Sequence, residues 1–473
     1  MKKTNQNKRS GLEPRDDEIL KGEIDDINGI FDSNPINGRF EIVKFLLKKH
    51  DFLTVTDKNS EDLYIYDNGI YREIGVAIIK KEVEEILQEL YSIFHVNDII
   101  EKVKVKTSID REKFTNEDDD LICLENGILN IKTKKLIPHT PDIIFTSKIP
   151  ISYKPKANCP EIKKFLKNIL YKEDINVIQE WFGFCLLKNY LFKKAMIIFG
   201  EGDTSKTTLL NLLVKFIGEA NISNINLHQL ATSRFHSAKM YKKLVNVYDD
   251  LDFKDVIGTG YFKMACGKAT MGAERKYKDL FFFYNYAKLV FTANKIPQLK
   301  DKDASDSAYY SRWIIIRCDN VLKRNQVDPD YINKIITPEE LSGLLNYALK
   351  GLKRLLKQGY FSYDKTWEEI KEIMERSGSS LSAFAQDELI EQQNNWISKD
   401  NLYNTYAKYA SIKKLPAMTK LQLSKNISRF AHYIIDGRDK TGEFRGWRNV
   451  DFKSKKKTTN PMTDKDNDNK LKF

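Results

Sequence analysis

The sequence predicts an α/β core set between an N-terminal α+β region and a small C-terminal helical unit. Three observations carry that prediction. Ala195-Met-Ile-Ile-Phe199 is an apolar run of strand length, and Leu209-Leu-Asn-Leu-Leu-Val-Lys-Phe-Ile217 is an apolar run of helix length. Strand-like runs recur downstream at residues 244–248, 288–294 and 313–317, with helix-like stretches between them. Two Asn-Gly turns, each between short apolar runs, mark hairpins at residues 62–72 and 121–131.

Taken in order, residues 1–37 are polar, carry Gly11, Pro14 and Pro35, and are expected to form a disordered arm. Residues 38–160 hold the two hairpins and form the α+β region. Helical periodicity over 161–190 gives a collar before the core, which spans 191–325. Helices over 326–380 form a lid, with Ser377-Gly-Ser-Ser380 as a linker. Residues 381–452 contain two helical stretches and a glycine-punctuated strand pair. The lysine-rich tail 453–473 is expected to be disordered.

Bulk properties narrow the function classes. The chain has 473 residues, 78 Lys+Arg against 66 Asp+Glu, and a net charge of +12; its pI is near 9.0. That excess suits a polyanionic partner such as nucleic acid. The five cysteines (Cys123, Cys159, Cys185, Cys266 and Cys318) have no C-x-x-C spacing, which predicts reduced thiols and no structural zinc. No apolar run reaches roughly 18 residues and no apolar segment follows the N-terminal lysines, so neither membrane insertion nor secretion is expected.

Between the first strand and helix lies Gly200-Glu201-Gly202-Asp203-Thr204-Ser205-Lys206-Thr207-Thr208. Strand, glycine-bearing loop and helix are the setting of a phosphate-binding P-loop, in which backbone N–H groups and the helix N-terminus surround phosphates. Lys206 would reach the β/γ-phosphates and Thr207 would help hold Mg²⁺, making ATP and Mg²⁺ the expected cofactors. Ser205 departs from G-x-x-x-x-G-K-[ST], standing where the second glycine belongs.

An ATPase of this kind needs acids at a neighbouring strand tip. Asp249-Asp250 follow Leu244-Val-Asn-Val-Tyr248 and supply a metal contact and a water-polarising carboxylate, in an order the sequence leaves open. The same pair would also suit a plain turn. Asn294, ending Lys288-Leu-Val-Phe-Thr-Ala-Asn294, can donate and accept near the γ-phosphate. Arg312 precedes another apolar run and is a candidate finger for a neighbouring subunit, or else a surface ion-pair residue. Arg275, Lys276 and Lys278 crowd an expected hairpin between these motifs, where cations suit the phosphates of single-stranded DNA.

The order of these motifs resembles the A, B, B′ and C motifs of superfamily 3 helicases, and more narrowly the phage, plasmid and poxvirus primase–helicase family. Leu124–Ile131, Ile137–Pro141, Phe145–Pro150 and Ile178–Leu187 are similar to the region that precedes the helicase core there. The resemblance covers about residues 40–320. It implies an AAA+-like P-loop core in a hexameric ring, with ATP between subunits, translocating on single-stranded DNA. Lys206, Thr207, Asp249 and Asp250 would serve ATP and Mg²⁺, Asn294 would be the sensor and Arg312 the trans finger. Lys276 and Lys278 would track DNA.

Residues 381–452 resemble the winged-helix domain of the same family, with Lys420, Lys425, Arg429, Arg438 and Arg445 as a cationic face for forked DNA; a protein-binding module is the alternative. A separate primase or polymerase would be a further partner, in a prokaryotic or virus-infected cytoplasm. Asp118-Asp-Asp120 has the D-x-D spacing of a metal-dependent polymerase but sits before a strand, as a solvated turn would. Three readings follow: an ATP-driven helicase of a mobile element, a weakly hydrolysing initiator or scaffold, and a primase–helicase.

Overall fold

The structure is a computed structural model. It describes residues 14–453, apart from 58–59, 116–117, 201–203, 233, 252–257, 275–279, 298, 300–305, 319–330, 414 and 416. The described chain is mixed α/β and divides into two compact units, the first reaching Thr366 and the second beginning at Trp367, with a short stretch after Asn294 grouped with the second.

The first unit opens on α1 (Pro14–Ser33) and α2 (Pro35–Lys49). The expected arm is therefore helical from Pro14. The second half of α1 packs through few side chains: Ile27 and Phe31 are buried in a core with α2, α3 (Gly75–Leu87) and α4 (Ile93–Lys106). Asn34 caps α2 by accepting from the Ile36 and Asn37 N–H groups. Against these helices lies a sheet of β1 (Phe52–Asp57), β2 (Ser60–Asp67), β3 (Ile70–Arg72) and β4 (Ser108–Asp110), followed by the short α5 (Arg111–Thr115). The turn at Asn68 and Gly69 joins β2 to β3, with both residues at positive φ. The second Asn-Gly turn joins β5 (Leu121–Leu124) to β6 (Gly127–Asn130), which pairs with β7 (Leu136–Ile137).

Next come α6 (Pro160–Ile169) and α7 (Asp174–Phe184), buried along nearly its whole length. The central sheet contains β8 (Ala195–Phe199), β9 (Ile222–Ser223), β10 (Val245–Tyr248), β13 (Lys288–Ala293) and β14 (Trp313–Arg317) in the order β14-β8-β13-β10-β9. Every pairing in it is parallel. Near-continuous apolar strands are what a sheet buried on both faces demands. Connecting it are α8 (Lys206–Ile217), α9 (Leu227–Thr232), α10 (Arg234–Ser237), α11 (Gly260–Ala265) and α12 (Ser307–Tyr310). An antiparallel pair, β11 (Thr270–Ala273) with β12 (Phe281–Tyr284), branches from the sheet before β13.

After α13 (Tyr331–Ile335), the 21-residue α14 (Pro338–Gln358) packs along α7. The fully buried Glu180 of α7 is satisfied by Arg354 Nε at 2.6 Å and by the Ser362 N–H at 2.7 Å. A buried carboxylate held by this many donors fixes the two helices together.

The second unit contains α15 (Trp367–Gly378), α16 (Ser380–Glu388), β15 (Leu389–Ser398), α17 (Lys399–Ile412), α18 (Lys420–Phe430), β16 (Ile435–Arg438) and β17 (Arg445–Phe452). Residues 377–380 are a helix junction and not a linker: Ser379 caps α16 by accepting from the Ser382 N–H. The unit also begins earlier than residue 381, because Ile370 and Met374 give α15 a buried face. The three strands form one antiparallel sheet, β15-β17-β16. Sequence periodicity misses β15, whose centre is polar and exposed and whose register shifts between Glu391 and Trp396.

Candidate active site

All five core strands run the same way, so their C-terminal ends share one edge. Phe199 is level with Ala293 and Arg317, and Phe291 with Tyr248. That edge is where open parallel sheets bind ligands. Gly200 continues β8 there, and a Cβ at this position would lie 2.0 Å from the Cys318 carbonyl, so only glycine fits.

Lys206 opens α8 and is buried. Its Nζ donates to the Gly200 carbonyl at 3.0 Å and the Thr204 hydroxyl at 3.3 Å, which draws the ammonium back across the loop. Ser205 adopts the left-handed conformation, with φ 61° and ψ 17°. The glycine-type backbone is thus retained with a side chain present. Glu201, Gly202 and Asp203 lie outside the described residues, as do Arg275, Lys276 and Lys278.

At the next residue of the helix, the Thr207 hydroxyl donates to Asp249 Oδ2 at 3.1 Å. Two hard oxygens this close suit Mg²⁺, which takes few protein ligands and completes its shell with phosphate and water. Among the described residues there is no group of three or more His, Cys, Asp or Glu that could hold a metal. Asp249 Oδ1 in turn accepts a short hydrogen bond from the Thr292 hydroxyl, which also accepts from the Asp250 N–H at 2.8 Å. Asp250 is held at φ 54°, a conformation aspartate tolerates better than most residues. Asn294 Nδ2 donates to Asp250 Oδ1 at 3.3 Å.

Lys206, Thr207, Asp249, Asp250 and Asn294 are therefore brought together, and Thr292 links the two acids. Sequence reasoning missed Thr292. Its signal was there: a hydroxyl inside a strand that is apolar from Leu289 to Phe291, two residues before Asn294 and so on the same face.

Arg312 lies elsewhere. Its carbonyl accepts from the Ala195 N–H at 2.7 Å, which puts it beside the start of β8, a five-residue strand or roughly 16 Å from the loop that follows Phe199. Its Nη1 donates to the Ala308 carbonyl, and its Nε is buried with no hydrogen-bond partner. Burial, and then the Arg312 charge, hold the Lys194 pKa below the ordinary lysine value. Two cations thus stand together at the edge opposite the loop.

Lys288 is also at that end. Fully buried, it donates to the Leu187 carbonyl and, at 2.9 Å, to the Asn189 carbonyl, and its ammonium stands 4.7 Å from the Phe184 ring centre. Desolvation pushes its pKa down to about 7. It ties the end of α7 to β13.

The three acids 118–120 form a turn. Asp118 accepts from the Asp120 N–H, Asp119 from Asn189, and Asp120 pairs with Lys132 at 2.7 Å. In the second unit Lys425 and Arg445 are exposed, and Arg438 bonds the Gly442 carbonyl within the β16–β17 turn. Lys420 pairs with Asp400. Arg429 is half-buried and donates to the Leu299 carbonyl at 3.1 Å, a structural engagement that sets it apart from the exposed cations.

Two family models match the sequence: D5 N terminal like, over residues 55–171, and a family of unknown function (DUF5906), over residues 198–312. The first falls on the region upstream of the core that carries part of the resemblance described above. The second runs from the end of β8 to Arg312 and includes the loop, both aspartates and Asn294. Among solved structures, the A-form apo structure of the NrS-1 C terminal region is 18% identical, with TM-score 0.46, over 84% of this chain and 87% of that one. The apo structure of NrS-1 C terminal region (305-718) is 17% identical, with TM-score 0.47, over 87% of this chain and 98% of that one. No curated protein matches. No helix among the described residues is long and apolar enough to cross a membrane.

Proposed function

We propose that this chain is an ATP-driven DNA motor of the superfamily 3 helicase type, serving replication of a virus, plasmid or provirus. The observation that carries the reading is the continuous chain of polar contacts from Thr207 through Asp249, Thr292 and Asp250 to Asn294, at one edge of a parallel sheet, with Lys206 next to Thr207 and bonded across the loop to Gly200. Lys206 neutralises the β/γ-phosphates as charge develops on them. Thr207 and Asp249 would hold Mg²⁺, which would supply charge neutralisation for the triphosphate when bound. Thr292 aims Asp249 at the metal and positions the backbone of Asp250. Asp250 and Asn294 orient the attacking water.

Arg312 completes the site of an adjacent copy in a ring, which its distance from this chain's own loop supports. Single-stranded DNA runs past the segment holding Arg275, Lys276 and Lys278, and the exposed Lys425, Arg438 and Arg445 meet duplex at the fork. The D5 N terminal like match and the motif order support a place in mobile-element replication, with a separate primase or polymerase as partner. Ser205 argues against the weakly hydrolysing alternative, since the loop keeps the backbone form that glycine gives.

The test is DNA-stimulated ATP hydrolysis by the full chain. Lys206→Ala should abolish it, and Asp249→Asn should remove most hydrolysis while nucleotide still binds. Hydrolysis that survives Lys206→Ala would overturn the assignment of the loop.

A further inference from the structure

β12 alternates in the usual way, but both of its faces are aromatic. Phe283 is buried and Phe281 half-buried, and both pack on Tyr241, with ring centres 5.4 and 5.2 Å from it. Phe282 and Tyr284 point the other way and are each 67% exposed. Across the strand pair they face Gly272 and Thr270, residues too small to cover a ring. The Phe282 ring lies over Gly272, where an added Cβ would already be in contact at 3.5 Å. The outer face thus carries two rings two residues apart, a spacing of about 7 Å along the strand.

Neither inner packing nor the nucleotide site uses these two rings, and neighbouring aromatic groups left together in water are the kind of contiguous patch that marks a binding surface. Charge indicates its occupant. From Lys268 to Asp279 the sequence carries Lys268, Arg275, Lys276 and Lys278 against Glu274 and Asp279. The whole chain is at +12, which favours a polyanion as the occupant. Flat rings beside cations are how proteins hold single strands: the cations follow the phosphates and the rings stack on bases.

We propose that Phe282 and Tyr284 form a base-stacking ledge for single-stranded nucleic acid. The inference rests on the nucleic-acid reading above and extends it from backbone tracking by cations to contact with the bases. Stacking tolerates any sequence, as a motor moving along a strand requires.

The experiment compares binding of the full chain to a fluorescent oligo-dT and to an abasic strand of equal length, with a non-hydrolysable ATP analogue present. Wild type should prefer the strand that has bases. Phe282→Ala with Tyr284→Ala should weaken oligo-dT binding by about tenfold or more, bring it close to the abasic strand, and leave the salt slope unchanged. Phe282→Trp with Tyr284→Trp should restore the preference, which a mere loss of folding could not do. Lys276→Ala with Lys278→Ala should instead lower the salt slope on both strands alike. A salt-dependent wild type that binds both strands equally would overturn the ledge while the nucleic-acid reading stands. No binding to either strand would remove both. Unchanged oligo-dT affinity with an altered oligomeric state in the Ala variant would overturn the proposal and make the ledge a surface between copies.

Discussion

Ser205 holds the left-handed conformation that glycine adopts freely, at a cost of about 1–2 kcal/mol for a residue with a Cβ. Glycine there would lose some of that gain to the greater freedom of its unfolded chain. Ser205→Gly should therefore raise unfolding stability by about 0.5–1 kcal/mol and leave nucleotide binding intact. Urea unfolding at constant m-value reads the difference, and a less stable variant would show that the loop is not strained at this residue. Thr292 is the second residue-scale test. Thr292→Val keeps the shape but removes both hydroxyl bonds, so Asp249 loses its orienting donor and the Asp250 N–H its acceptor. Hydrolysis should fall about 10–100-fold, as for other groups that orient a metal ligand, with nucleotide affinity nearly unchanged. Thr292→Ser should recover most of the loss. Full activity in the Val variant would reduce Thr292 to a packing residue.

At the scale of elements, β13 is anchored at both ends by polar side chains on an apolar strand: Thr292 at the site and Lys288 against the end of α7. The native Lys288 pKa of about 7 lies below the unfolded value near 10.4. Between those values the unfolded chain binds a proton that the native chain does not, so native stability rises with pH across the window and is flat below it. Lys288→Met frees the Leu187 and Asn189 carbonyls, an offset that does not depend on pH. Urea unfolding at pH 7.5, 8.5 and 9.5 should show wild type gaining on the Met variant by up to about 1.4 kcal/mol per pH unit. Parallel pH profiles would mean that the lysine stays charged in the fold. The same strand shows what sequence makes legible. Its length, burial and terminal Asn294 can be read because a parallel interior strand is near-continuously apolar, and the Asn-Gly hairpins can be read because φ > 0 selects those residues. Thr292 escaped because a lone threonine in a strand usually reflects β-propensity. Residues 22–33 and 389–398 escaped for a different reason: each buries only a few side chains, so composition looks polar while tertiary contacts fix the structure.

At the scale of the whole molecule, the central sheet separates two groups of polar side chains. Lys206, Thr207 and the acids occupy one edge, while Arg312 and Lys194 stand at the other, roughly a strand's length away. A rigid β8 cannot bring them together, so if Arg312 serves hydrolysis it serves another copy's nucleotide. That arrangement is a heterologous, head-to-tail contact, which closes into a ring when the rotation allows. Such a contact makes a prediction that no single-chain mechanism shares. Arg312→Ala and Lys206→Ala chains should each be inactive alone, the first for want of a finger and the second for want of a phosphate ligand. Mixed in equal amounts and allowed to exchange, they should regain hydrolysis. About a quarter of the interfaces then pair an intact loop with an intact arginine. Activity should peak near equal mixing and fall towards either pure variant. If every mixing ratio stays as inactive as the variants alone while exchange is verified by fluorescence transfer between labelled copies, Arg312 acts within its own chain or not at all.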